Sequence, residues 1–193
     1  MSLVLKVKKF GDLTNPIIEF AKDVELAEND LDKFDTPYHR RAFVRALFSM
    51  IEGSVYLLKQ TTLSATVRSH LAFHSAGEYA LLAEQSYDLN NKGEINEQTK
   101  FLRLADNLRF MTKCLNKTFN CQIDLGVGSK DWVNFLTAIE IRNRITHPKN
   151  LNEFEVMQQD IETVKEVSYW INDIIAYAVK GIEEKIGARK KPK

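Results

Sequence analysis

An all-α fold is what this sequence predicts: an antiparallel helical bundle with an extra N-terminal helix, a turn-rich insertion and a long C-terminal helix. Eight glycines and four prolines in 193 residues leave the chain little punctuated, so its periodic segments run long. Within them apolar residues recur every three or four positions, the spacing that gives a helix one buried face. Helix-start signals, a capping residue followed by proline or a Ser-x-x-Glu box, head several of these segments. With 44% of residues apolar the chain can bury a proper core, and neither an internal repeat nor a long linker divides it. The organisation read from this is an N-terminal arm and helix packed on the bundle (1–35), a bundle (36–187) and a basic disordered tail (188–193).

Each element has a local reason. The first ten residues read as an arm or short strand. Thr14-Asn15-Pro16 supplies a cap and a proline at the first helical position, opening a helix to about Asp32. Asp35-Thr36-Pro37 repeats the signal and starts a helix to about Lys59, with Phe43, Leu47, Met50, Ile51, Val55 and Leu58 on its core face. The polar, β-branched run from Thr61 to Thr66 lowers helix propensity and predicts a break or bend. Ser75-Ala76-Gly77-Glu78 is a capping box that opens a helix to about Gln85. Tyr87 to Ile95 is turn-rich, an excursion with room for two short extended pieces. A helix is expected from about Glu97 to Thr118 on the stripe Phe101, Leu104, Leu108, Met111 and Leu115. A loop ending in Asp124–Ser129 leads to a helix from Lys130 to His147, stopped by Pro148. The last helix runs from about Phe154 to Ile186 on Ile161, Val164, Val167, Trp170, Ile171, Ile174 and Ile175.

Composition narrows function more by exclusion. A net charge of +1 exerts no global pull on nucleic acid, so any such binding must come from a local patch. Cys114 and Cys121 each suit a core, and with no signal sequence and no apolar run of membrane-spanning length they point to a reducing cytoplasm. No HExxH, paired CxxC, glycine-rich phosphate loop or Gly-x-Ser-x-Gly elbow occurs, and no set of metal ligands can be assembled from spacing, so no cofactor is expected.

What remains is the segment Arg142-Asn143-Arg144-Ile145-Thr146-His147-Pro148 at the end of an apolar helix. Asn143 and His147 share a helix face, while Arg142 sits about 140° round the axis from His147. The guanidinium must bend round to the imidazole or meet one from another chain. Arginine binds phosphate and histidine moves protons, a minimal set for breaking a phosphodiester. The alternative is a capping histidine beside a solvated basic face.

These residues, Ile141 to Pro148, also resemble the mark of the HEPN domain family: arginine, a polar residue, a few more residues, then histidine. Arg142, Asn143 and His147 match it with four intervening residues, and the resemblance extends over the bundle from about Thr36 to Tyr177. It implies a four- or five-helix bundle that forms a homodimer with motif residues of both protomers in one cleft. It further implies a metal-independent ribonuclease acting on RNA in a toxin-antitoxin or anti-phage setting, with a cognate antitoxin or regulatory protein as a further partner. Some relatives only bind nucleotides or proteins, and that non-catalytic module is the competing expectation. The N-terminal helix, the Tyr87–Glu97 insertion and the long last helix depart from the pattern.

On the catalytic reading His147 is general base or acid, Arg142 holds the phosphate, and Asn143 orients phosphate or histidine. Arg144 and Thr146 are candidate supports. Glu52 lies on a stripe with Arg41, Arg45, Tyr56 and Lys59, at the border of polar face and core. Its partner can be Arg142, a base on its own helix, or water. Arg109, Lys113 and Lys117 form a ladder that can follow an RNA backbone or simply face solvent. Arg68 and His74 also fit the loose spacing, but Ser69 is a poorer second residue and His74 precedes a helix start; His70 and His74 are read as structural.

Overall fold

The computed structural model describes residues 11–69 and 71–189; the expected N-terminal arm, His70 and the last four tail residues lie outside these. Among the described residues there are six helices and one hairpin: α1 (Gly11–Lys33), α2 (Pro37–Ser69), α3 (Ala76–Leu82), β1 (Gln85–Leu89), β2 (Ile95–Thr99), α4 (Leu104–Phe119), α5 (Lys130–Thr146) and α6 (Gln158–Arg189). A short 3-10 turn, Asn152–Phe154, lies between α5 and α6. The all-α expectation holds, and no described helix is long and apolar enough to cross a membrane.

Helix α2 is the centre of the bundle, touching the other five helices. Its core residues Phe43, Leu47, Met50, Ile51, Val55 and Leu58 are buried, as their spacing predicts. They meet Leu108, Met111 and Leu115 of α4, Phe135, Ile141 and Ile145 of α5, and Val164, Val167 and Ile171 of α6 in one continuous core. Leu13, Ile17, Val24 and Leu31 join α1 to that core. A glycine lets α1 lie close: a Cβ on Gly53 would fall 2.5 Å from Phe20 Cε2. Trp132, Phe135 and Trp170 pack as an aromatic trio between α5 and α6, with centroids 5.4–6.3 Å apart.

Five sequence expectations are corrected. Helix α1 already runs from Gly11, so Thr14 and Asn15 are helical and Pro16 sits inside the helix and not at its first position. Helix α2 has no break at Thr61–Thr66: the hydroxyls of Thr61 and Thr62 donate to the carbonyls of Leu57 and Leu58 (2.9 and 2.8 Å), and Thr66 does the same to Thr62 and Leu63. Paired with their own backbone, these side chains can be buried without leaving the helix. Helix α4 begins at Leu104, not near Glu97, because Ile95–Thr99 pairs with Gln85–Leu89 as an antiparallel strand, which leaves Phe101 78% exposed. Helix α3 stops at Leu82, since Glu84 takes φ +57° and Gln85 enters the strand, while its capping box forms as expected. Helix α6 begins at Gln158, with Phe154 in the preceding turn, and continues through Ala188 and Arg189, the first residues of the expected tail.

Two loops fix the elements that follow them. In the hairpin turn the Asn90 carboxamide accepts from the N–H groups of Lys92 and Glu94 (2.9 and 3.0 Å), and Gly93 takes φ +77°. Before α5, Ser129 caps the helix by accepting from Trp132 N–H at 3.3 Å, while Asn116 holds the loop from α4 through both backbone groups of Ile123.

Candidate active site at the end of helix α5

Helix α5 ends where its sequence says it should. His147 is the C-cap, with φ −130° and ψ 56°, and its N–H donates to the Asn143 carbonyl at 2.9 Å. The Pro148 ring disfavours helical backbone at the preceding residue, which accounts for this departure. Thr146 donates its hydroxyl to the Arg142 carbonyl at 2.7 Å and so satisfies one of the last-turn acceptors. Asn143 and His147 are exposed. The His147 ring makes no hydrogen bond or ion pair among the described residues, and its imidazole nitrogens remain available to a ligand.

Arg142 turns the other way, toward α2. Its Nη2 donates to Glu52 Oε1, its Nη1 donates to Asn143 Oδ1 at 3.1 Å, and its guanidinium lies 5.3 Å from the Phe48 ring centroid. Of the three partners left open for Glu52, the structure selects Arg142, ninety positions away in sequence. The guanidinium lines a cleft of about 300 Å³ with Glu52, Tyr56, Glu84, Leu104 and Asn107. Within that cleft Arg142 Nε and Asn107 Oδ1 are buried without a hydrogen-bond partner. Five N–H donors in a rigid fork, only two of them committed, equip Arg142 for an anionic oxygen.

The α2 stripe that includes Glu52 is the wall of this region. Tyr56 lines the cleft, and Lys59, 1% exposed, pairs with Glu84 at 3.1 Å. Burial pulls the Lys59 ammonium below its ordinary range, and the Glu84 carboxylate works against that. At the other end of the stripe, Arg41 stacks 4.2 Å from the Phe154 ring centroid. Arg40 donates to the Val156 carbonyl at 3.0 Å. Arg144 donates to the Glu155 carbonyl at 3.0 Å and pairs with Asp160, which also accepts from Met157 N–H. These arginines clamp the connection from Pro148 to Met157, so Arg144 contributes by fixing the chain that follows His147.

The site residues therefore divide. Arg142, Asn143 and Glu52 are joined by hydrogen bonds, while His147 stands at the exposed helix end and is not part of the cleft lining. Along α4, Arg109 pairs with Asp106 at 2.7 Å and lies 5.4 Å from the Trp132 ring, and Lys117 pairs with Glu78 at 2.9 Å. Two of the three ladder cations thus have carboxylate partners.

One cluster escapes sequence reasoning. Spacing assembles no metal-ligand set, yet the fold brings His74, Glu78 and Cys114 together with their ligand atoms within 4.8 Å of one another. Only the His74–Glu78 interval, four residues across a helix start, is visible in sequence; Cys114 arrives from α4. His74 is buried, with its Nε2 2.9 Å from Thr118 Oγ1.

Comparison with protein-family models, with curated proteins and with solved structures finds no match to this chain.

Proposed function

We propose that the chain is a metal-independent endoribonuclease of the HEPN type, working as a homodimer in the cytoplasm. The observation that carries this is the division of the motif. Arg142 is oriented by Glu52, Asn143 and Phe48 with donors to spare, and His147 presents an unengaged imidazole one turn further on.

In the reaction His147 takes the proton of a ribose 2′-hydroxyl and the oxygen attacks the adjacent phosphorus. Arg142 binds the phosphate and stabilises the charge that develops on it. Asn143 orients the guanidinium through its carboxamide oxygen. The bond to the 5′-oxygen breaks, and that oxygen takes a proton from an imidazolium, leaving a 2′,3′-cyclic phosphate and a 5′-hydroxyl. DNA lacks the nucleophile and is inert.

Two features support a site shared between copies. Arg142 and His147 diverge around the helix, so within one chain they do not converge on a single phosphate without bending. The exposed α5 face carries Val133 and Leu136 in line with Glu140, Asn143 and His147, a mixed face with two apolar residues that a second copy can cover. The toxin or anti-phage setting, and an antitoxin or regulatory partner, rest on the resemblance of the motif alone.

The cleft favours a second reading, a non-catalytic nucleotide-binding module, because Arg142 lines it and His147 does not. Wild type and His147→Ala, purified and incubated with mixed RNAs in EDTA, separate the two. Wild-type cleavage to cyclic-phosphate ends, lost in the variant, supports the nuclease. Equal cleavage by both, or none under any condition, defeats it, and nucleotide binding that needs Arg142 without any cleavage establishes the second reading.

A further inference from the structure

The junction of α3 and α4 is built differently from the rest of the bundle. Its apolar cluster contains three buried residues, Leu63, Leu82 and Cys114, flanked by Tyr79, Ala83 and Phe110. Against this small core lie three groups of metal-ligating type: the His74 imidazole, the Glu78 carboxylate and the Cys114 thiol.

The histidine is prepared for a ligand. Its side chain is fully buried, its Nε2 lies 2.9 Å from Thr118 Oγ1, and the Tyr79 ring packs edge-on with centroids 5.8 Å apart. Its Nδ1 is buried without a hydrogen bond, and Glu78 Oε2 lies 3.5 Å from it. With the proton on Nε2 and donated to Thr118, the Nδ1 lone pair is left for a ligand beside Glu78, with the Cys114 thiol in the same cluster. An outer hydrogen bond that fixes the tautomer and aims the other nitrogen inward is the usual support of a metal-bound histidine.

We propose that His74, Glu78 and Cys114 bind one divalent ion of the zinc class in tetrahedral coordination, with water in the fourth position. Nitrogen, sulfur and carboxylate oxygen together suit zinc, and hard calcium or magnesium would not choose this set. Loading exchanges the Cys114 S–H proton, released to solvent, for the metal–sulfur bond. Two plus on the ion, one minus on the thiolate and one minus on the carboxylate leave a neutral centre, which a buried location tolerates. Lys117, paired with Glu78 at 2.9 Å and reaching the surface, swings out to solvent, while Lys59 keeps Glu84. The ion pins the seven-residue α3 to α4 where little apolar area does so. None of its ligands belongs to the Arg142–His147 region, so RNA cleavage does not pass through it.

The test is titration of Co²⁺ into the metal-stripped full chain. One saturable equivalent with a thiolate-to-cobalt charge-transfer band, displaced by Zn²⁺, is expected, and the band disappears in Cys114→Ser. Glu78→Gln keeps the capping box but loses the charge, and weakens binding tenfold or more. Lys117→Met removes the competing cation and tightens binding several-fold, which a purely structural Lys117–Glu78 pair would not produce. A folded chain that develops no thiolate band overturns the proposal. So does equal metal affinity in wild type, Glu78→Gln and Lys117→Met, which decides the matter even where Cys114→Ser fails to fold.

Discussion

On the proposed cleavage reaction, Glu52→Ala tests whether the carboxylate acts only by holding Arg142. An arginine side chain carries about 2 kcal/mol of rotamer entropy that the bound state must suppress. In the folded chain that restraint comes from three contacts, with Glu52, with the Asn143 carboxamide at 3.1 Å and with the Phe48 ring at 5.3 Å. Removing Glu52 and leaving the other two frees roughly half, about 1 kcal/mol, which lowers the cleavage rate about fivefold. Arg142→Ala removes the phosphate ligand itself and costs about 10²- to 10³-fold, the range for losing one charge-stabilising donor. Because the Glu52 side chain is half exposed, its ion pair adds at most about 1 kcal/mol to stability. The melting temperature therefore falls by no more than about 4 °C. The assay is single-turnover cleavage of labelled RNA in EDTA beside a thermal melt, with Glu52→Gln, which retains an acceptor oxygen, recovering part of the rate. A Glu52→Ala variant as slow as Arg142→Ala would refute the reasoning by putting the carboxylate in the chemistry. One faster than wild type would show that Glu52 competes with the phosphate.

The remaining predictions concern packing and charge. Gly53→Leu drives a side chain into Phe20, whose ring atoms already stand 2.5 and 2.6 Å from a Cβ at this position. Overpacking of about 2–3 kcal/mol, offset by about 0.8 kcal/mol of helix propensity, lowers the melting temperature by several degrees, and an unchanged melt would deny the close seat of α1 on α2. Asp160→Ala removes both the Arg144 partner and the acceptor for Met157 N–H, and should cost about 1–2 kcal/mol in denaturant unfolding together with a loss of cleavage rate as the chain after His147 loosens. The Lys117 ammonium and the Ser75 N–H hold the Glu78 carboxyl down to about 2, against an ordinary value of 4.5. The unfolded chain takes up that proton first, so this stabilisation is complete above pH 4.5 and disappears as the pH falls toward 2. Glu78→Gln should flatten the acid limb of an unfolding-versus-pH curve in that window, and an unaltered limb would assign it to other carboxylates.

Where structure was legible in sequence, the determinants were local. Pro37, the Ser75–Glu78 box and Pro148 act within a turn of themselves, and each marks a boundary found in the fold, whereas the Thr14-Asn15-Pro16 signal does not, because α1 already runs from Gly11. The threonine run misled because propensity counts β-branching as a cost and does not see hydroxyls returned to the carbonyls one turn back. The start of α4 misled because Phe101 fits the helical stripe, while hydrogen bonding to Gln85–Leu89 claims the residues before it. The site follows the same rule. The motif on α5 is contiguous and readable, the Glu52–Arg142 pair was one of three open choices, and the convergence of Cys114 on His74 exists only once α4 has docked.

The unbroken course of α2 sets what sequence change this protein can absorb. Thirty-three residues span about 50 Å at 1.5 Å each, and one rod carries Glu52 to Arg142, Gly53 to Phe20 and Lys59 to Glu84. A single inserted residue between Glu52 and Lys59 would rotate everything beyond it by about 100°, turning Lys59 from its carboxylate and Leu58 from the core. The hairpin tip at Asn90–Glu94, exposed throughout, asks for no such register. Length variation is thus cheap at the hairpin and close to prohibited in α2, and drift among descendants of this chain should collect at the first and spare the second.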